Sequence, residues 1–132
     1  MFINTDEWGI AFFGPFSPGN VSVRMPPNPT LPYAKARRTA GPDDQVTDYA
    51  ILDLEVFDAT DDLANAGAWR LHGWVKSWTP QMGVTMPSTG QVVFIDRIST
   101  IQGPHWVDYG DENLRRYCMR YEVISRLSSQ KL

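Results

Sequence analysis

The 132-residue chain reads as one α/β domain of the α+β kind: a mainly antiparallel four- to five-stranded sheet, one principal helix packed on it, and a short N-terminal helix. Three stretches predict that class. Tyr49 to Asp58 sets Ala50, Leu52, Leu54 and Val56 against Asp53 and Glu55, the period of two of a half-buried strand, with Ile51 and Phe57 interrupting the polar side. Thr60 to Trp78 follows at once, with Leu63, Gly67, Leu71, Trp74 and Trp78 along one helical stripe that Ala64, Ala68 and Val75 widen. Arg116 to Leu127 alternates again, Tyr117, Met119, Tyr121 and Val123 opposing Arg116, Cys118, Arg120 and Glu122.

Taken in order, Thr5 to Phe13 predicts the short helix, with Thr5 or Asp6 as cap, Trp8, Ala11 and Phe12 turned inward, and Gly14, Pro15, Pro18 and Gly19 ending it. Val21 to Met25 alternates as a first strand. Pro26, Pro27, Pro29 and Pro32 then impose a stiff, polyproline-like connector. Tyr33 to Arg38 is a second strand, joined through the turn Gly41-Pro42-Asp43-Asp44 to Tyr49–Asp58 as an antiparallel hairpin.

The principal helix has Thr60 as N-cap, Asp61 and Asp62 in its first turn, where carboxylates favour the helix dipole, and Pro80 beyond its end. Gly67 and Gly73 each cost about 1 kcal/mol in helix propensity, so packing must hold the helix, and Gly67 on the stripe suits close approach to a strand. Thr79 to Gln91 is expected as a long loop, Val92 to Ile101 as a fourth strand, and Gly103 to Asn113 as a second long loop before the fifth.

The composition, 42% hydrophobic and 20% charged, is that of a globular domain, and no apolar run approaches a membrane span. Asp6 and Glu7 stand where a secretory signal would carry Lys or Arg, so secretion by that route is not expected. One cysteine, Cys118, excludes an internal disulfide and a thiolate zinc cluster. A net charge of −3 gives no general attraction to nucleic acid. The basic residues crowd two strands, Lys35, Arg37 and Arg38 on one and Arg115, Arg116, Arg120 and Arg126 on the other, either as solvated strand faces or as charge partners for a neighbouring subunit.

Little in the sequence carries chemistry. His72 lies mid-helix with Lys76, rather than a ligand, four residues on, and His105 sits beside Trp106 and near Asp108 with no nucleophile motif. Asp108, Asp111 and Glu112 depart from the calcium-loop spacing and read as a solvated acidic loop. Cys118, between Arg116 and Arg120 in alternation, has neighbours that lower a thiol pKa but no base or resolving cysteine, and reads as a small surface or interface residue. No catalytic residue, metal ligand or cofactor site is assigned, and the chain is not expected to be an enzyme.

The order and spacing of several segments resemble phage tail terminator proteins, especially those of siphovirus-like tailed phages of actinobacteria. These are the Val-rich strand ending in the Pro-rich linker (Val21 to Pro32), Tyr33 to Gly41 with its Arg37-Arg38-Thr39-Ala40-Gly41 ending, Val46-Thr47-Asp48, and the strand Ile51 to Phe57. After them come the helix opening Ala59-Thr60-Asp61-Asp62-Leu63-Ala64, Gly103-Pro104 with its Asp-containing loop, and the strand from Arg116-Tyr117 to Arg126. Where family members often have Gly-Gly after the Arg-Thr, this chain has Ala40-Gly41, and its N-terminal helix is shorter.

The resemblance implies a structural virion protein at the tail–neck junction, assembled in the host cytoplasm. It would form a homo-hexameric ring that caps the tail tube, ends polymerisation of the tube (major tail) protein, and meets a head–tail stopper or other neck protein. DNA would pass through the lumen without specific binding, and no membrane is involved. Candidate axial contacts are then Asp43, Asp44, Gln45, Gln81, Met82, Val84 and Met86. Candidate lateral or lumenal residues are Arg37, Arg38, Arg116, Arg120, Glu122 and Trp106. The alternatives are another neck or tail component, such as a stopper or tube protein, and a small ligand-binding or enzymatic domain.

Overall fold

In the computed structural model, which describes residues 3–16 and 20–126, the chain runs α1 (Thr5–Phe13), β1 (Val21–Ser22), β2 (Tyr33–Ala40), β3 (Thr47–Asp58), α2 (Asp61–Lys76), β4 (Val84–Thr85), β5 (Val92–Val93), β6 (Arg97–Trp106) and β7 (Arg115–Arg126). Five strands form one sheet in the order β1-β2-β3-β7-β6, and β4 pairs with β5 in a separate ribbon. The sheet is mixed, because β1 runs parallel to β2 while the ladders β2–β3, β3–β7 and β7–β6 are antiparallel. Pro18, Gly19 and Leu127, expected at element ends, lie outside the described residues.

The long central hairpin partner is β3, whose twelve residues pair without interruption to β7 from Thr47↔Arg126 to Asp58↔Arg115. Its even-numbered residues Ala50, Leu52, Leu54 and Val56 are fully buried, and they meet Ala34 and Ala36 of β2 and Met119, Tyr121 and Val123 of β7 on one face. Both helices cover that face. α1 brings Trp8, Phe12 and Phe13, and its cap is Asn4, whose Oδ1 accepts the Glu7 amide (3.2 Å), rather than Thr5 or Asp6.

The buried side of α2 is rotated from the expected stripe. Ala64, Gly67, Ala68, Leu71, His72 and Val75 face the sheet, whereas Leu63 and Trp74 are 52% and 37% exposed. Small residues win this face because they let the helix lie close: a Cβ on Gly67 would stand 3.2 Å from Val56 Cγ1. Trp74 instead leans on the neighbouring helix, its Nε1 donating to the Phe12 carbonyl (2.8 Å). Gly67→Leu is therefore expected to lower the unfolding free energy by about 2 kcal/mol through overpacking. Gly67→Ala should stay near neutral, because the tight contact opposes a helix-propensity gain of about 1 kcal/mol. Urea melts of the two variants check both values.

His72 is only 5% exposed and shares a hydrogen bond with the Tyr121 hydroxyl (2.8 Å), with the Trp69 ring set edge-on to the imidazole. Burial, and then the nearby Lys76 charge, lower its pKa below the ordinary 6.5. The neutral ring is thus the form the fold favours. Its contribution is complete above the unfolded value of about 6.5 and is lost as pH falls through the lower folded value. Urea midpoints should therefore drop between neutral pH and pH 5 in the parent, with a smaller drop in His72→Phe.

Two segments differ from expectation. Thr79 to Gln91 is not a plain loop, since Val84 and Thr85 pair with Val93 and Val92, and Gly83 lies so close beneath Val92 that a Cβ there would meet its Cγ1 at 2.5 Å. Glu7 of α1 accepts both the amide (2.6 Å) and the hydroxyl (2.9 Å) of Ser88, tying this ribbon to the N-terminal helix. The expected strand Val92 to Ile101 is split, and β6 continues through Gly103-Pro104 to Trp106. Proline fits because β6 is an edge strand, and register shifts between Thr100 and Gln102 and between Gln102 and His105 absorb it. The first strand is likewise shorter than the expected Val21–Met25, pairing only at Val21 and Ser22.

Candidate interaction face

The face of the sheet opposite the helices carries the complementary set of side chains, placed there by strand alternation. Cross-strand register sets Lys35, Glu55, Cys118 and His105 in one row and Arg37, Asp53, Arg120 and Gln102 in the next. Neither helix covers these rows. They line a shallow concavity of about 520 Å3.

The rows form a lattice of charges with the carboxylates on the central strand. Glu55 is shared by Arg116 (2.8 Å) and Lys35 (3.4 Å), and Asp53 receives Arg120 through Nε (2.7 Å) and Nη2 (3.2 Å). The Asp53 hydrogen bond and charge push the Arg120 pKa up. Arg37, directly across from Asp53, is exposed and has no ion-pair partner among the described residues. At one end of the face the loop after β6 folds back. Tyr109 stands edge-on against the buried Phe57 (4.9 Å between ring centroids), and the Arg116 guanidinium lies over the Tyr109 ring (5.2 Å).

Cys118 sits in the middle of this face, half-buried. Desolvation pushes its thiol up to about 11, outweighing the lowering charge of Arg116. It is held as the unreactive thiol at neutral pH. His105, expected in a loop, belongs to β6 and faces Cys118 across the ladder. Its Nδ1 donates to the Gly103 carbonyl (2.8 Å). Among the described residues, no three His, Cys, Asp or Glu side chains converge as a metal site, and no helix is long and apolar enough to cross a membrane. Asp108 and Asp111 accept amides of their own loop, from Gly110 (3.1 Å) and Asn113 (2.9 Å).

The structure gathers four of the expected lateral residues, Arg37, Arg116, Arg120 and Glu122, on the open face. Arg38 does not join them. It lies on the helix side, where its guanidinium holds the buried Asp48 carboxylate by two hydrogen bonds (2.6 and 2.8 Å) and the Gly41 carbonyl by a third (2.9 Å). Trp106, 54% exposed, pairs with Tyr117 at the outer end of β6, away from the charge rows.

Of the expected axial residues, Asp43, Asp44 and Gln45 form the exposed β2–β3 turn. Amides of Thr47 and then Val46 hold the Asp44 carboxyl below its ordinary range. Gln81 is exposed and Met82 half-buried, while Val84 and Met86 are core residues at 8% and 5% exposure. Their apolar side chains pack under the ribbon, because alternation in β4 turns Val84 inward and Thr85 out.

The structure adds Asp53, Glu55, Gln102 and His105 to the candidate residues and sets them beside Lys35, which the sequence offers only among the basic residues crowding its strand. Lys35, Asp53 and Glu55 alternate with Ala34, Ala36, Leu52, Leu54 and Val56, so their common face was readable; Gln102 and His105 depend on the β6 register shifts. The chain matches no protein-family model, and a search of curated proteins likewise finds no match.

Proposed function

We propose that this chain is a structural, non-enzymatic ring subunit of a phage tail, a terminator that caps the tail tube and joins it to the neck. The reading rests on the ordered resemblance of the segments from Val21 to Arg126. The observation that supports it most is the open sheet face, where a rigid twelve-residue strand pair presents a charge lattice that neither helix covers. A ring subunit needs such a stiff platform with unlike surfaces on its flanks. The half-buried thiol of Cys118 at the centre of that face, its pKa raised by desolvation, suits a contact surface better than a nucleophile.

In this role the exposed turn Asp43-Asp44-Gln45 and the surface around Gln81 meet axial neighbours, and the open face serves neighbouring subunits. The partners are the tube protein below and a stopper or neck protein above. DNA slides through a lumen that makes few phosphate-neutralising contacts. The test is tube assembly in vitro: added at substoichiometric amounts to polymerising tube protein, the chain should shorten tubes and cap their ends in negative-stain images. Tubes of unchanged length with bare ends would contradict the proposal.

A further inference from the structure

We propose that the open sheet face is the socket for the acidic end of a second copy of this chain, in a head-to-tail contact. In the socket, Lys35, Arg37, Arg116 and Arg120 outnumber Asp53 and Glu55, with Glu122 beyond Arg120 on the same face, so a chain of net charge −3 keeps a local positive excess there. The balancing negative charge is concentrated at one end of the same sheet. There the first turn of α2 contributes Asp61 and Asp62, and the loop before β7 contributes Asp108, Asp111 and Glu112.

These two segments lie side by side. Asp58 pairs with Arg115 at the end of the β3–β7 ladder, and the Arg115 guanidinium reaches Asp61 (3.4 Å). Arg115 is the cation set among these carboxylates, and Asp62 and Glu112 are exposed with no ion-pair partner among the described residues. The acidic end adjoins the socket, since Arg116 also donates to the Asp108 carbonyl (2.9 Å). In the head-to-tail contact each copy gives its acidic end to one neighbour and its socket to another, so the contact is heterologous and repeating it closes a ring or extends a chain. Opposite charge draws the pieces together, and the unpaired Arg37 would gain the partner it lacks in the monomer.

The contact deepens the ring reading above and rests on it for closure at a fixed copy number. Two variants separate the halves: Arg37→Glu alters the socket, and Asp62→Lys/Glu112→Lys alters the acidic end. The three substituted residues, Arg37, Asp62 and Glu112, are exposed, and circular dichroism checks the fold of each variant. Sedimentation velocity at low salt, alone and with tube protein, should show wild-type oligomers that weaken with added salt, and at least about tenfold weaker association for each variant alone.

The mixture is the sharper test. Arg37→Glu keeps its acidic end and the double variant keeps its socket, so the mixture should associate at least about tenfold more tightly than either variant alone. Wild-type rings that both variants form equally well would overturn the docking proposal and leave the terminator reading standing. A wild-type chain that stays monomeric even with tube protein would overturn both.

Discussion

Trp8→Ala should lower the unfolding free energy by about 4 kcal/mol, a large part of the stability of a domain this size. The indole is fully buried and stacks on Phe12 at 4.8 Å, and Phe12 in turn meets Phe13 edge-on (5.0 Å) and Trp74 (5.6 Å). This aromatic chain joins α1 to α2 above the sheet. It cannot collapse into the gap left by Trp8, because α1 already touches the strands: a Cβ on Gly9 would lie 3.4 Å from Ala36 Cβ and from both Leu52 methyls. Trp8→Phe keeps an aromatic ring in the same slot and should lose less than half as much. Urea denaturation of the pair separates cavity formation from a general disturbance of the helix.

Arg38→Leu should cost about 3 kcal/mol, because it strands a carboxylate that the fold has removed from water. Asp48 is 1% exposed, and both of its oxygens are held by the Arg38 guanidinium. The same guanidinium bonds the Gly41 carbonyl, so the loss also loosens the turn that joins β2 to β3. That turn depends on glycine, since Gly41 has φ +110 and a Cβ there would fall 2.0 Å from the Tyr49 carbonyl oxygen. The double variant Arg38→Leu/Asp48→Leu should recover more than half of the loss, since neither charge then remains buried alone. A double-mutant cycle on thermal or urea unfolding gives the coupling directly.

This pair also shows where sequence reading stops. Arg37 and Arg38 are adjacent and chemically alike, and sequence placed both among the lateral residues. Alternation sends them to opposite faces, one to the open lattice and the other to a buried structural bond with Asp48. The strands β3 and β7 were legible because each alternates over ten or more residues, and β2 through Ala34 and Ala36 set against Lys35 and Arg37; the charged rows of the open face follow from the same alternation.

Short pairings were not legible. Two-residue strands such as β4 and β5 carry no period, and what holds their ribbon, Glu7 on Ser88, joins positions 81 residues apart. Gly103-Pro104 looked like a loop start because proline breaks ladders, yet on an edge strand it does not. On α2 the expected stripe holds at Gly67 and Leu71 and in its widening at Ala64, Ala68 and Val75, but close packing turns Leu63 and Trp74 outward and brings in His72. Helix periodicity locates a face to within about one side chain's width, and contact distance decides the rest.

Whether the chain builds a ring on a tail tube is tested most directly by native mass spectrometry of the purified protein over a range of concentrations, with and without its tube protein. The expected result is a six-copy assembly, formed by the chain alone or on docking to the tube protein. A chain that remains a monomer under both conditions and carries no bound tube protein would contradict it.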